Sequence, residues 1–319
     1  MGKKNIHTDR RRGRCEQRLK PPPAFLHGQK CKGRAPVSLF DDNNIRACVP
    51  DGVALPRALS RTTHLAIAAH PDDIEIIGYH GIIQCYQAAD RWFTGIVVTN
   101  GSGSPRGEPF REYSDAEMIA IRAEEQIQAA QLGEYSAVLQ LGLRSDEVKD
   151  RISPQLVEYL ARQLELAQAH TVYLHDPADR HGTHVGVCIH ALEALRALPK
   201  ALRPAHVYGI EVWRNLDWLP EQYRVRLDLC GHADLFNRLI GVFQSQISAG
   251  KRLDLALPGR QSANATFDRA HLVDQSSALT LALDMSDLVH NENVGYSEFM
   301  QSVLADFTTE VIGKLDRYR

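Results

Sequence analysis

Two short stretches bring together side chains that could do chemistry. At 68–76 the chain reads AAHPDDIEI, which sets His70, Asp72 and Asp73 within four positions. At 175–184 it reads HDPADRHGTH, with His175, Asp176, Asp179, His181 and His184. Imidazole and carboxylate are ligands of catalytic zinc, which takes three protein groups and leaves one position open. His70, Asp73 and one histidine of the second stretch would supply such a set. Asp72 is then left beside the ion, where a carboxylate can take a proton from water. The other histidine of the H-x-x-H pair is free to polarise a carbonyl or protonate a leaving group. Taken singly, each stretch has a plainer reading. HPDD is a common turn and N-cap composition, and H-x-x-H can be a solvated helix start.

The surrounding pattern gives a reason for the two stretches to meet. HLAIAA (64–69) is short, apolar and followed by turn formers, as a buried strand would be. A helix follows over 74–90, with Ile76, Tyr79, Ile83 and Tyr86 on one face. WFTGIVVT (92–99) is a second strand, and Ser114 and Glu117 form an S-x-x-E capping pair for a helix that stops at Gly133. AVLQL (137–141) is a third strand, Ser153-Pro154 opens a helix to about 169, and TVYL (171–174) is a fourth strand. A helix then starts near His184. AHVYGIEV (205–212) and RVRLDLC (224–230) read as further strands, with helices expected near 232–249, 268–281 and 296–317.

This alternation predicts an α/β, Rossmann-like, doubly wound and mostly parallel sheet with helices on both faces. Ligands of such sheets sit outside the carboxyl ends of the strands, at the topological switch point. In the order 3-2-1-4-5, the first stretch ends strand 1 and the second follows strand 4. The two would then face each other. That coincidence of place favours the metal reading over two unrelated turns.

Composition agrees with a globular domain: 44% apolar and 24% charged residues in a chain of 319. The formal net charge of −2 gives no general pull towards nucleic acid or membrane. Residues 1–35 nevertheless carry eleven Lys and Arg against Asp9 and Glu16, together with PPP at 21–23. We expect 1–60 to be a basic, largely irregular arm, and 61–319 to be a single domain with a divergent part from about 220. No nucleic-acid partner is expected, since the arm lacks interleaved aromatics. No run approaches the roughly 18 apolar residues of a spanning helix. The six cysteines include no C-x-x-C pair, which fits free thiols in a reducing cytoplasm.

With these residues in view, a family resemblance emerges. AHPDDIEI and DRHGTH are similar to the signature segments of the PIG-L/LmbE family of zinc-dependent N-acetylglucosaminyl deacetylases, usually AHPDD(x)E and HPDH. TNGSGSPRG resembles the family's TDG-type loop, and IRAEEQIQAAQLG its Arg-x-Glu-Glu helix. The resemblance spans about 63–190, with a weaker trace in FNRLIGVFQSQI. It implies zinc, one per chain or another divalent ion, on His70, Asp73 and His184. It makes Asp72 the general base and His181 the second catalytic histidine, and it points Arg122 into the site; a plain surface arginine is the competing reading. In HGTH, Thr183 replaces the aspartate that orients the first histidine, so Asp176 or Asp179 is expected to take that role. His80 stands where the family has a glycine, and is expected on the helix surface or narrowing the pocket.

The implied activity is hydrolysis of an N-acetyl amino-sugar conjugate with release of acetate, and family members are often homo-oligomers. The alternatives are a non-catalytic metal- or sugar-binding relative and an amidase acting on another N-acyl substrate. A nucleotide-binding reading of NGSGSPRG fails, because no G-x-G-x-x-G opens a helix there. No G-x-S-x-G supports a serine hydrolase. Trp213 could stack on a sugar ring and Arg214 could read an acidic group, both on weak grounds.

Overall fold

The computed structural model describes residues 45–319. Its elements are β1 (Arg46–Cys48), α1 (Leu55–Ser60), β2 (His64–Ala68), α2 (Ile74–Ile77), α3 (Tyr79–Cys85), β3 (Phe93–Thr99), α4 (Asp115–Leu132), β4 (Ala137–Leu143), α5 (Pro154–Ala167), β5 (Thr171–His175) and α6 (Gly182–Ala197). They continue with β6 (His206–Ile210), β7 (Arg224–Asp228), α7 (Ala233–Ile240), α8 (Gln244–Ile247), α9 (Leu253–Thr266), β8 (Leu279–Asp284), α10 (Ser286–His290) and α11 (Tyr296–Leu315). The eight strands form one sheet in the order β1-β4-β3-β2-β5-β6-β8-β7. The central run β4-β3-β2-β5-β6 is parallel, while β1, β8 and β7 join antiparallel. The fold is thus the doubly wound, mostly parallel α/β sheet, and its five central strands take the order 3-2-1-4-5.

Both faces of this sheet are covered, as parallel strands require. Side chains alternate along each strand. Leu65 and Ile67 of β2 therefore join one apolar cluster with α5 and α6, while Ala66 and Ala68 join the other with α2, α3 and α7. The local signals in α4 and α5 appear as read. Ser114 and Glu117 close a full capping box, and the Ser153 hydroxyl caps α5 ahead of Pro154.

Other elements differ from the sequence reading. The helix expected over 74–90 is two, α2 and α3, joined at Gly78 and ending at Cys85; Gly78 leaves no room for a side chain, since a Cβ would stand 2.8 Å from the Phe93 ring and 2.9 Å from the Ile74 carbonyl. No helix occupies 268–281: the helix lies earlier, as α9, and β8 begins at Leu279. α9 runs through Pro258-Gly259, and LTLALD is inserted between β6 and β7. Residues 46–60 are not irregular. β1 pairs with β4, and α1 buries Ala58 and Leu59; both elements are too short to show a period. The rest of that arm, residues 1–44, lies outside the described residues.

Candidate metal centre and cleft

The turn after β2 holds His70, Asp72 and Asp73. The His70 N–H donates to Asp73 Oδ2 at 2.8 Å, and the Asp73 N–H to the His70 carbonyl at 3.2 Å. Asp72 sits at φ +94°, a conformation that side chains other than glycine adopt only when held. What holds it comes from α4. Gln126 Oε1 accepts from the Asp72 N–H at 3.1 Å, and Gln126 Nε2 donates to the buried Glu75 at 2.8 Å. Tyr135 donates its hydroxyl to the same Glu75 oxygen at 2.7 Å. Burial pushes the Glu75 carboxyl up to about 7, against the pull of these two donors.

The second stretch closes on the first through β5. His175, the last residue of β5, accepts the Ala69 N–H on Nε2 at 2.9 Å. Its lone pair is thereby committed, and burial, with His184 next, holds the ring neutral with a pKa down at about 3. Asp179 then organises the loop. Its Oδ1 accepts from the His181 N–H at 2.7 Å, and its Oδ2 lies 3.0 Å from His184 Nδ1 and accepts from the Val212 N–H at 3.2 Å. Asp179 therefore orients His184, not His181. Asp176 does not orient His181 either: its Oδ1 accepts from the Ala178 N–H, and its buried Oδ2 has no partner.

Three donor atoms converge. His70 Nδ1 and Asp73 Oδ2 are 3.0 Å apart, His184 Nε2 and His70 Nδ1 3.2 Å, and His184 Nε2 and Asp73 Oδ2 3.3 Å. Tetrahedral zinc ligands at their usual bond lengths stand roughly 3.3–3.5 Å from one another. The set thus fits an ion with slight expansion, and the Asp179–His184 contact is the kind that fixes a ligand histidine. His181 brings a fourth nitrogen, within 4.8 Å of those of His70 and His184. Burial alone would lower the His184 pKa, but Asp73 and Asp179 outweigh it and raise it to about 10. Burial would likewise raise Asp73, yet His184, His70 and His175 hold it well below the carboxylate range. Such mutual attraction among a carboxylate and three imidazoles marks a site built for positive charge.

Asp72 lies beside this set with its carboxylate turned to Arg122. Arg122 is buried, not a surface residue of α4. Its guanidinium donates to Asp72 Oδ1 at 3.2 Å, to the Pro71 carbonyl at 2.6 Å and to the Gly101 carbonyl at 3.0 Å. Gly101 adopts φ +66°, and a Cβ there would collide with the guanidinium. Burial pushes the Asp72 carboxyl up to about 8, with Arg122 opposing it.

A cleft of about 360 Å³ opens over these groups. His181 is half-buried on its wall, edge-on to His70 at 5.1 Å and stacked on Trp213 at 6.4 Å between ring centroids. Burial, reinforced by His184 and His70, lowers its pKa to about 4, and its Nδ1 has no partner. Thr183 is buried with its hydroxyl unpartnered, so it does not replace the aspartate of the family motif. Trp213 lines the cleft; Arg214 is exposed and outside its lining. His80 is half-buried, 2.8 Å from the Tyr173 hydroxyl, and also outside the lining. The sequence reading missed Gln126, Glu75 and Tyr135 beneath Asp72, and the buried Glu125, which accepts from the Ser245 N–H and hydroxyl at 2.8 and 2.5 Å. Glu75 and Glu125 fall on glutamates of two motifs already quoted, AHPDD(x)E and Arg-x-Glu-Glu, whereas only their tertiary partners single out Gln126 and Tyr135.

Comparison with known proteins agrees with this geometry. The family model PIG-L, described as GlcNAc-PI de-N-acetylase, matches residues 65–195. This segment is similar to that family. It contains both stretches, the Arg122 helix and all three converging donors. The chain is 29% identical over 154 residues to the uncharacterized deacetylase YaiS of Escherichia coli (strain K12), covering 48% of this chain and 79% of that protein. In fold, N,N'-diacetylchitobiose deacetylase from Pyrococcus horikoshii superposes with a TM-score of 0.53 at 17% identity, covering 69% of this chain and 83% of that one. The conserved protein TT1542 from Thermus thermophilus gives 0.55 at 18% identity, over 70% and 94% of the two chains. GalB, the 4-carboxy-2-hydroxymuconate hydratase from Pseudomonas putida, gives 0.54 at 18% identity, over 70% and 95%. A hydratase and a deacetylase on one fold mean that the reaction must be argued from the side chains at the strand ends and not from the sheet.

Proposed function

We propose that this chain is a metal-dependent hydrolase that removes an N-acetyl group from an amino-sugar conjugate and releases acetate. The convergence of His70 Nδ1, Asp73 Oδ2 and His184 Nε2 within 3.3 Å, with Asp72 beside them, carries the reading. A divalent ion, zinc by its preference for this ligand set, supplies Lewis acidity that makes amide hydrolysis feasible at neutral pH. Asp72 takes a proton from the attacking water. Positive charge gathered at the neighbouring donors favours its carboxylate form, and Arg122 keeps that carboxylate aimed at the cleft. His181, neutral at pH 7, donates a hydrogen bond to the oxyanion that develops on the acyl carbon. The proton held by Asp72 then passes to the leaving amine. Trp213 offers a flat apolar face for a sugar ring.

Elemental analysis of the purified protein, paired with amine release from a panel of N-acetyl amino sugars with and without chelator, tests this reading. We expect about one zinc per chain and chelator-sensitive release. Asp72→Asn should keep the metal and lower kcat by about 10²–10⁴-fold. No metal uptake, or an unchanged rate in Asp72→Asn, would overturn the assignment. A second reading, metal binding without turnover, draws on His181, whose Nδ1 lacks the partner that orients a working general acid; metal without release from any substrate would select it.

A further inference from the structure

The cleft carries more positive charge than the hydrolytic chemistry uses. Arg122 is committed to Asp72 and to two carbonyls, but Lys149, Lys251 and Arg260 also line the cleft, whose only carboxylates among the described residues are Asp72 and Asp73. Lys149 follows β4, and its Cε lies 4.0 Å from the place of a Cβ on Gly182, next to His181. Lys251 lies between α8 and α9, with its Nζ 4.7 Å from the centroid of Trp213, which itself stacks on His181. Both ammonium groups therefore stand at the His181–Trp213 end of the cleft. Arg260, donating to the Val212 carbonyl at 2.7 Å, adds a third charge along the same wall.

Neither lysine forms a salt bridge among the described residues. Asp146 is paired with Arg144 at 2.9 Å and Asp254 with Arg252 at 2.7 Å, while Glu147 and Asp150, which flank Lys149 in sequence, are exposed and outside the cleft lining. Both lysines are half-buried. Holding a partly desolvated ammonium without a counter-charge costs free energy, and lysines on a surface normally extend to water instead. A wall that keeps two of them at one end of the cleft, one over the Trp213 ring and neither in a salt bridge among the described residues, is complementary to an anion that the chain does not contain.

We propose that the substrate carries an anionic group, a phosphate or a carboxylate, which Lys149 and Lys251 bind at the His181–Trp213 end of the cleft while the N-acyl group lies at His70, Asp73 and His184. The placement rests on the hydrolytic reading above; the anion site itself does not. Two flexible ammonium groups recognise charge with less demand on shape than a bidentate guanidinium, so they specify that an anion is present more strongly than which one.

Calorimetric binding to the purified, metal-depleted protein tests the site without turnover. The probes are methyl N-acetylglucosaminide (neutral), N-acetylglucosamine 1-phosphate and N-acetylmuramic acid (a carboxylate). We expect at least one anionic probe to bind about tenfold or more tighter than the neutral one, with the margin shrinking at high salt. The two anionic arms distinguish phosphate from carboxylate. In Lys149→Gln/Lys251→Gln the margin should collapse to about threefold or less. Equal binding of all three probes by the wild type, or a preference unaltered in the double variant, overturns the proposal. Amine release from the same probes is followed separately with metal restored. A preserved anion preference without release would count against the hydrolytic reading and leave the anion site standing.

Discussion

The two sides of the cleft are built on different principles. The side made by β2, β5 and the loops that follow them is rigid and densely bonded. His70, Asp73, His184, Asp179 and His175 form a chain of contacts between 2.8 and 3.6 Å, nearly all of it buried. The side made by residues 211–260 is sparser. Trp213 is 42% exposed, Lys251 meets it only as a cation over a ring, and β7 and β8 join the sheet antiparallel at its edge. The PIG-L match covers the first side and stops at residue 195, before the second begins. Chemistry that needs fixed distances sits at the ends of central parallel strands, where both faces are packed. Recognition, in the proposed reading, draws on the edge and its loops together with Lys149 after β4.

This contrast can be broken or sharpened. Changes on the rigid side should alter stability, metal affinity or kcat; changes on the sparse side should alter substrate affinity alone. The largest effect is expected beneath Asp72. Glu75 titrates near 7 when folded and near its ordinary 4.5 when unfolded. Between these values the folded state binds the extra proton, so stability falls as pH rises from about 4.5 to 7, by on the order of 3 kcal/mol. Asp72, Asp176 and Glu211 are also held above the ordinary carboxyl range and add slopes of the same sign, so Glu75→Gln should remove the Glu75 share of the slope in the metal-free protein, read by urea unfolding at pH 5 and pH 7.5. A slope kept in full would place the titrating group elsewhere.

Next in size is Asp179→Asn. Losing the carboxylate that orients His184 should weaken metal affinity by about 10–100-fold, measured by competition with a chelator of known affinity. Unchanged affinity would remove Asp179 from the support of the metal centre. The smallest effect is expected across the cleft. Trp213→Ala should raise KM about 2–10-fold, leave kcat within about twofold and keep the metal. A fall in kcat with KM unchanged would show that Trp213 acts on His181 and not on the substrate, and the division between the two sides would fail.

Much of the rigid side is legible in the sequence. His70, Asp72, Asp73, His181 and His184 stand out because polar residues directly after buried strands need a reason; the order 3-2-1-4-5 that brings them together is the common one for this alternation, and the sheet adopts it. Arg122 was legible only as a choice between two readings, since helix periodicity does not say which polar residue is buried. The orienting role expected of Asp179 went to His184, because the first turn of α6 turns His184 Nδ1 to the carboxylate while His181 faces the cleft.

What the sequence by itself determined is the parallel centre of the sheet, the switch point and the types of ligand, because these depend on short-range periodicity and on residues adjacent along the chain; β1 and β8 were not among them. Tertiary structure alone decided the rest. Glu75, Gln126 and Tyr135 hold Asp72 at φ +94° through contacts that span 51–60 positions of sequence. Lys149 and Lys251 share one end of the cleft from loops about a hundred residues apart in the sequence. Long-range packing sets burial, and burial sets whether a polar side chain is solvated, paired, or left waiting for a ligand.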